Sequence, residues 1–135
     1  MAYSYRHLIA WQKAKALAVE IYSVSGKFPS SERYGLTNQL RRAAVSVTSN
    51  IAEGQGRLTP GEFRQFLGHA RGSVLELQTQ LAIALDLHYL GTESYREVER
   101  RSEEVLRLIN GLLSALRITS SATAPTRNSK LETRN

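Results

Sequence analysis

The sequence predicts an all-α fold, an antiparallel four-helix bundle of up-down-up-down topology, and three observations carry that prediction. The 135 residues, 41% hydrophobic and 22% charged, suit one ordinary domain with a real core. Apolar residues recur at alternating steps of four and three through four long segments, a spacing averaging 3.5 that keeps one stripe facing a neighbouring helix. Short turn signatures separate the segments, and short connections place successive helices antiparallel.

The first helix spans roughly 8–28, with Ala10, Ala14, Leu17, Ile21, Val24 and Phe28 on its seam. Pro29-Ser30-Ser31 stops it. The second, 36–53, follows the rhythm more loosely through Leu36, Leu40, Ala43, Val47 and Ile51, and Gly54-Gln55-Gly56 reads as the tight turn beyond it. The third, 60–90, opens on Thr59 as N-cap, Pro60 at the first helical position and Glu62 placed to bond back to the cap. Phe63, Leu67, Ala70, Val74, Leu77, Leu81 and Ala84 form its seam, and Gly91 is its expected stop. The fourth, 93–118, carries Val98, Val105, Ile109, Leu112 and Leu116 with Ser102 in the same seam. Residues 119–135, rich in Ser, Thr, Asn and Arg, have Leu131 as their one large apolar residue and read as a disordered tail.

A helix of about 28 residues is roughly 42 Å long, a rod rather than a pocket-former. On the third helix Leu75, Ala82 and Tyr89 stand about 130° from the core seam, with Ile83 on the other outer flank. A lone bundle needs one stripe only, so these four residues are the expected oligomer interface. Gly68 and Gly72 would let the neighbour come close.

Eighteen Lys and Arg against twelve Asp and Glu leave a net charge of +6, and the pI is near 10.0. The surplus is localised, because residues 1–72 balance at +6 and residues 73–118 at −2. In the last helix Glu97 with Arg101, Arg100 with Glu104 and Glu103 with Arg107 have the i,i+4 spacing of solvated ion pairs. Arg41, Arg42, Arg57, Arg64 and Arg71 have few such partners and could grip phosphates in bidentate fashion. The same arginines suit a structural role on helix carbonyls, on Glu53 or on a neighbouring subunit, and no aromatic interleaving or recognised nucleic-acid motif decides between the two.

Catalytic chemistry is not indicated. The chain has no cysteine, which excludes disulfides, thiolate metal sites and a cysteine nucleophile. His7, His69 and His88 lack a second histidine or Glu at three or four residues, so no metal is expected. Gly54-Gln55-Gly56 lacks the third glycine and the Lys-Ser/Thr of a phosphate loop. Ser46, Ser49 and Ser73 fall inside helices, and Glu53 with Glu62 form no designed carboxylate pair. The expectation is no enzyme and no cofactor. Without an apolar leader or a membrane-length run, the chain is expected to be cytoplasmic.

Ala10-Trp11-Gln12-Lys13-Ala14, Phe28-Pro29, Glu32-Arg33-Tyr34-Gly35-Leu36, Gln39-Leu40-Arg41-Arg42-Ala43-Ala44-Val45-Ser46, Asn50-Ile51-Ala52-Glu53-Gly54-Gln55-Gly56-Arg57 and Ala70-Arg71-Gly72-Ser73 together resemble the four-helix-bundle family encoded in intervening sequences of bacterial 23S ribosomal RNA genes, also called the S23 family. The resemblance runs from about Leu8 to Leu116 and departs from the family pattern at Thr48, where a proline is frequent. It implies a bacterial cytosolic bundle assembled as a ring of five subunits, with no catalytic residue. The family also looks like the accessory variability protein of diversity-generating retroelements, a basic pentamer that binds nucleic acid and reverse transcriptase. The function expected is therefore a non-enzymatic homo-oligomeric scaffold, probing RNA or DNA through Arg41, Arg42, Arg57, Arg64 and Arg71. The alternative is a protein adaptor that docks a partner such as a polymerase or reverse transcriptase.

Overall fold

A computed structural model describes residues 4–123 of the chain. Four α-helices, α1 (Ile9–Ser25), α2 (Leu36–Gln55), α3 (Pro60–Asp86) and α4 (Thr92–Thr123), are joined by short connections, with 3-10 turns at Tyr5–His7 and Ser30–Glu32. Among the described residues there is no strand.

Each helix packs against its neighbours in the order α1, α2, α3, α4 and back to α1. Pairs of contacting residues run in opposite directions along neighbouring helices: Ser46 meets Ser73, Gln78 meets Ser102, and Arg71 meets Asn110. The arrangement is an antiparallel bundle, and its core is the predicted seam. Leu17, Ile21, Leu40, Val47, Ile51, Leu67, Leu77, Leu81, Val105 and Ile109 are fully buried. Ser102 shares that core without penalty, since its hydroxyl donates to Glu99 O at 2.7 Å and accepts from Gln78 Nε2 at 3.0 Å.

Helix ends depart from the sequence reading for identifiable reasons. α1 stops at Ser25 rather than Phe28, because Lys27 N–H and Phe28 N–H turn back in 3-10 fashion to Val24 O and Ser25 O ahead of Pro29. α3 stops at Asp86, not Leu90, and the stop is not Gly91. His88 takes a left-handed φ of 63°, while Tyr89 N–H bonds Ala84 O and His88 N–H bonds Leu85 O, the paired bonds of a Schellman motif. α4 runs five residues past 118, to Thr123, so residues 119–123, expected in the tail, are helical; residues 124–135 lie outside the described residues.

Two glycines set close contacts. A Cβ on Gly35 would stand 2.6 Å from Glu32 Oε1, the atom that accepts Leu36 N–H and caps α2. A Cβ on Gly54 would stand 2.8 Å from Phe63 Cδ1 and 2.9 Å from Phe66 Cβ, so Gly54 is less a turn residue than the place where α2 lets α3 approach. At the start of α3, Thr59 Oγ1 accepts Glu62 N–H at 3.1 Å, half of the expected capping box.

Candidate nucleic-acid interface

The five arginines expected to act together go to three different places. Arg41 turns toward α1, where Nε donates to Ser25 Oγ at 2.9 Å and Nη2 to Tyr22 O at 3.2 Å, closing the last turn of α1. Its guanidinium lies 4.6 Å from the Tyr22 ring centroid. This is the structural role left open by the sequence, on helix one rather than helix two. Arg42 and Arg57 belong to the α2/α3 face: Arg42 is exposed near the start of α2, and Arg57, in the turn after α2, sits 4.5 Å above the Phe66 ring. Thirteen residues of helix, about 20 Å at helical rise, separate Arg42 from the end of α2 just before Arg57. Arg71 faces α4 and donates from Nε to Asn110 Oδ1 at 3.1 Å. Arg64, seven residues earlier on the same edge, is half-buried, and its Nε has no hydrogen-bond partner among the described residues.

Sequence reasoning missed the aromatic partners. Arg6 lies 5.5 Å from the Tyr5 ring and 5.8 Å from Trp11, Lys15 lies 5.5 Å from Trp11 on the other side, and Arg33 lies 6.0 Å from Tyr34. These cation–π pairs, with Arg41 and Arg57, all fall within residues 5–66. Most partners are neighbours in sequence, which is the signal that could have found them; the exceptions are Arg57 with Phe66, across the α2–α3 turn, and Arg41 with Tyr22, nineteen residues apart on two helices.

Three of the four residues expected at an oligomer interface are exposed on this chain. Leu75 (40% exposed), Ala82 and Ile83 (46%) do stand open on the outer face of α3, and nothing lies within 4 Å of a Cβ placed on Gly68 or Gly72. Tyr89 does not join them. The stop at Asp86 swings it inward, where its ring packs 5.5 Å from Phe28 and its hydroxyl donates to Glu32 Oε2 at 2.9 Å. That hydrogen bond raises the Tyr89 pKa, while Leu36 N–H first and Tyr89 second hold the Glu32 carboxyl below its ordinary 4.5. A second apolar patch, unforeseen, opens between α1 and α2, where Ala18, Val19 (64% exposed), Tyr22 and Val45 line a cavity of about 360 Å³.

Acidic groups gather on the opposite side. Burial raises the Tyr95 pKa, and so do Glu99, which accepts its hydroxyl at 3.0 Å, Asp86 and Glu103, placing three carboxylates beside one ring at the α3/α4 edge. On α4 the expected Glu97–Arg101 pair forms, Glu97 takes Arg100 as well, and Glu104 reaches across to Lys13 at 3.3 Å instead of Arg100. No group of three His, Cys, Asp or Glu among the described residues could hold a metal, and no helix is long and apolar enough to cross a membrane.

The family model for the 23S rRNA-intervening sequence protein matches residues 6–111. Among solved structures, a protein of unknown function from the S23 ribosomal protein family of Bacteroides thetaiotaomicron VPI-5482 superposes with a TM-score of 0.73 at 20% identity, covering 78% of this chain and 98% of its own. At that identity the likeness speaks for the fold. No curated protein matches the sequence.

Proposed function

We propose, from the premise that this chain belongs to the 23S rRNA-intervening sequence protein family, that it is a non-enzymatic, cytoplasmic, homo-oligomeric scaffold that contacts unpaired RNA or DNA along its α2/α3 face. The observation that carries this reading is Arg57, exposed beyond α2 and 4.5 Å over the Phe66 ring of α3. Single strands are held by phosphate-facing cations together with aromatic planes on which bases stack. On the α2/α3 face Arg42 offers an open guanidinium at one end and Arg57 over Phe66 offers a cation and a ring at the other.

Assembly is supported by the placement of the apolar patches. The α1/α2 cavity, with Lys15 in its lining, and the outer face of α3 with Leu75, Ala82 and Ile83 are two separate patches on different helices. Two distinct apolar patches on one chain suit head-to-tail contacts, which close into a ring when the rotation permits; a ring of five is our reading. Such a ring would leave the α2/α3 face open and repeat it, and repetition raises avidity.

Titration of labelled single-stranded RNA and DNA between about 50 and about 200 mM salt tests the function, with binding expected to fall steeply as salt rises. Arg42→Ala and Arg57→Ala should each lower the salt slope by about one. Absence of binding at low salt overturns the reading, and a light-scattering mass of one chain removes its assembly half. The apolar α1/α2 cavity favours a second reading, a protein adaptor; a stoichiometric protein partner that survives nuclease treatment, with no bound nucleic acid, would replace the first reading by this one.

A further inference from the structure

Two exposed apolar features lie at one height along the bundle. Ser46 on α2 and Ser73 on α3 meet at 2.9 Å, and the two helices run in opposite directions, so Val45 stands level with Val74 and Leu75 to within about one residue, or about 1.5 Å. Val45 is 43% exposed and lines the α1/α2 cavity with Ala18, Val19 and Tyr22, whereas Leu75 is 40% exposed on the outer face of α3. A trough on one pair of helices and a protruding side chain on another helix therefore share a level.

Charge sets which face meets which. The α1/α2 cavity holds Lys15, and the cavity adjoining it through Tyr22 and Val45 adds Arg41 and Arg42; neither lining contains a carboxylate. From Ser73 to Asp86, α3 carries Glu76 and Asp86 and no Lys or Arg. Two copies joined by like faces would set Glu76 near Glu76, or Lys15 near Lys15, and like charges brought together oppose association. Unlike faces bring anion toward cation. Such a contact is head-to-tail and leaves each copy one face for a further neighbour.

Rotation about an axis moves no atom along that axis. In a ring whose bundles stand parallel to the axis, residues that meet across a contact must share a height, as Leu75 and the trough do. Ile83, eight residues or about 12 Å further along α3, does not. We infer that Leu75 of one copy seats in the trough formed by Ala18, Val19, Tyr22 and Val45 of the next, with the bundles upright and side by side. The inference rests on the assembly proposed above, and it adds which residues meet and how neighbours stand.

The chain has no cysteine, so an introduced pair reports proximity without background. A disulfide needs Cα atoms within about 7 Å of each other. Val19→Cys combined with Leu75→Cys in the full chain, mildly oxidised and run on a non-reducing gel, should give a ladder of linked chains, and neither substitution alone should give one. Val19→Cys combined with Ile83→Cys should stay unlinked. Leu75→Arg, which sets a cation against Lys15, should weaken association about tenfold or more by sedimentation, and adding Val19→Glu should restore it. Linkage through Val19→Cys alone or Leu75→Cys alone would mean that like faces meet, and a ladder confined to the pair with Ile83→Cys would mean that copies are offset along the rod. Either result, or an oligomer that gives no ladder with any pair, overturns the inference and leaves assembly standing. A single-chain mass for the unsubstituted protein overturns the inference together with the assembly half of the wider reading.

Discussion

In residues 4–55 seven Lys and Arg stand against three Glu, and four of those cations, Arg6, Lys15, Arg33 and Arg41, lie on aromatic rings; in residues 60–117 seven Arg stand against eight acids. The two halves of the bundle share one core rhythm but neutralise charge differently. In α4 the carboxylate of Glu97 holds Arg100 and Arg101 within its own helix, a solvated arrangement of small net worth. In the first half Arg41 ties one helix to another and Arg42 is left over. Equal numbers of cations thus mean different things: a cation matched within its own turn is surface, and a cation without a local carboxylate is either architecture or free for a partner.

The halves meet closely at Gly54, and the largest effect is expected there. Gly54→Ala drives a methyl into Phe63 and Phe66 on α3 and should destabilise the chain by about 1–3 kcal/mol in urea unfolding. No loss of stability would mean that α3 can withdraw from α2 freely. The contrast between the arginines comes next. Arg41→Ala removes two hydrogen bonds and a ring contact and should cost about 1–2 kcal/mol, whereas Arg100→Ala should leave the unfolding midpoint within replicate scatter. Equal effects for the two would erase the comparison.

The smallest expected effect is tied to pH. Because Glu32 has a folded-state pKa below its unfolded value, its carboxylate contributes stability above the ordinary value of 4.5, and that contribution is lost as pH falls through the lower folded value. Wild type should exceed Glu32→Gln in stability at neutral pH, and the two should converge in acid. A difference independent of pH would assign the role of Glu32 to shape instead of charge.

The fold was legible because core burial obeys helical spacing, and Leu17, Leu67, Leu77 and Ile109 are buried where the 3.5 rhythm puts them. The outward placement of Leu75, Ala82 and Ile83 was legible and that of Tyr89 was not, since extrapolating an angle along a helix assumes that the helix continues. Here it ends on a histidine in a conformation usually taken by glycine, with no compositional warning. The partners of the arginines were not legible. Arg41 with Tyr22 and Ser25, and Arg71 with Asn110, join residues of different helices, and only packing reveals those pairings.

Contacts that cross between elements concentrate at one pole of the rod. Glu32 links the α1–α2 connection to the α2 start and, through Tyr89, to the α3–α4 connection, while Arg41 holds the end of α1 alongside. The pole with the α2–α3 turn has Arg57 over Phe66 and the local Thr59 cap. Local opening should therefore start from that second end, so amide hydrogens near Thr59 should exchange with solvent well before those near Leu36, and the molecule should loosen like a bundle of reeds bound at one end.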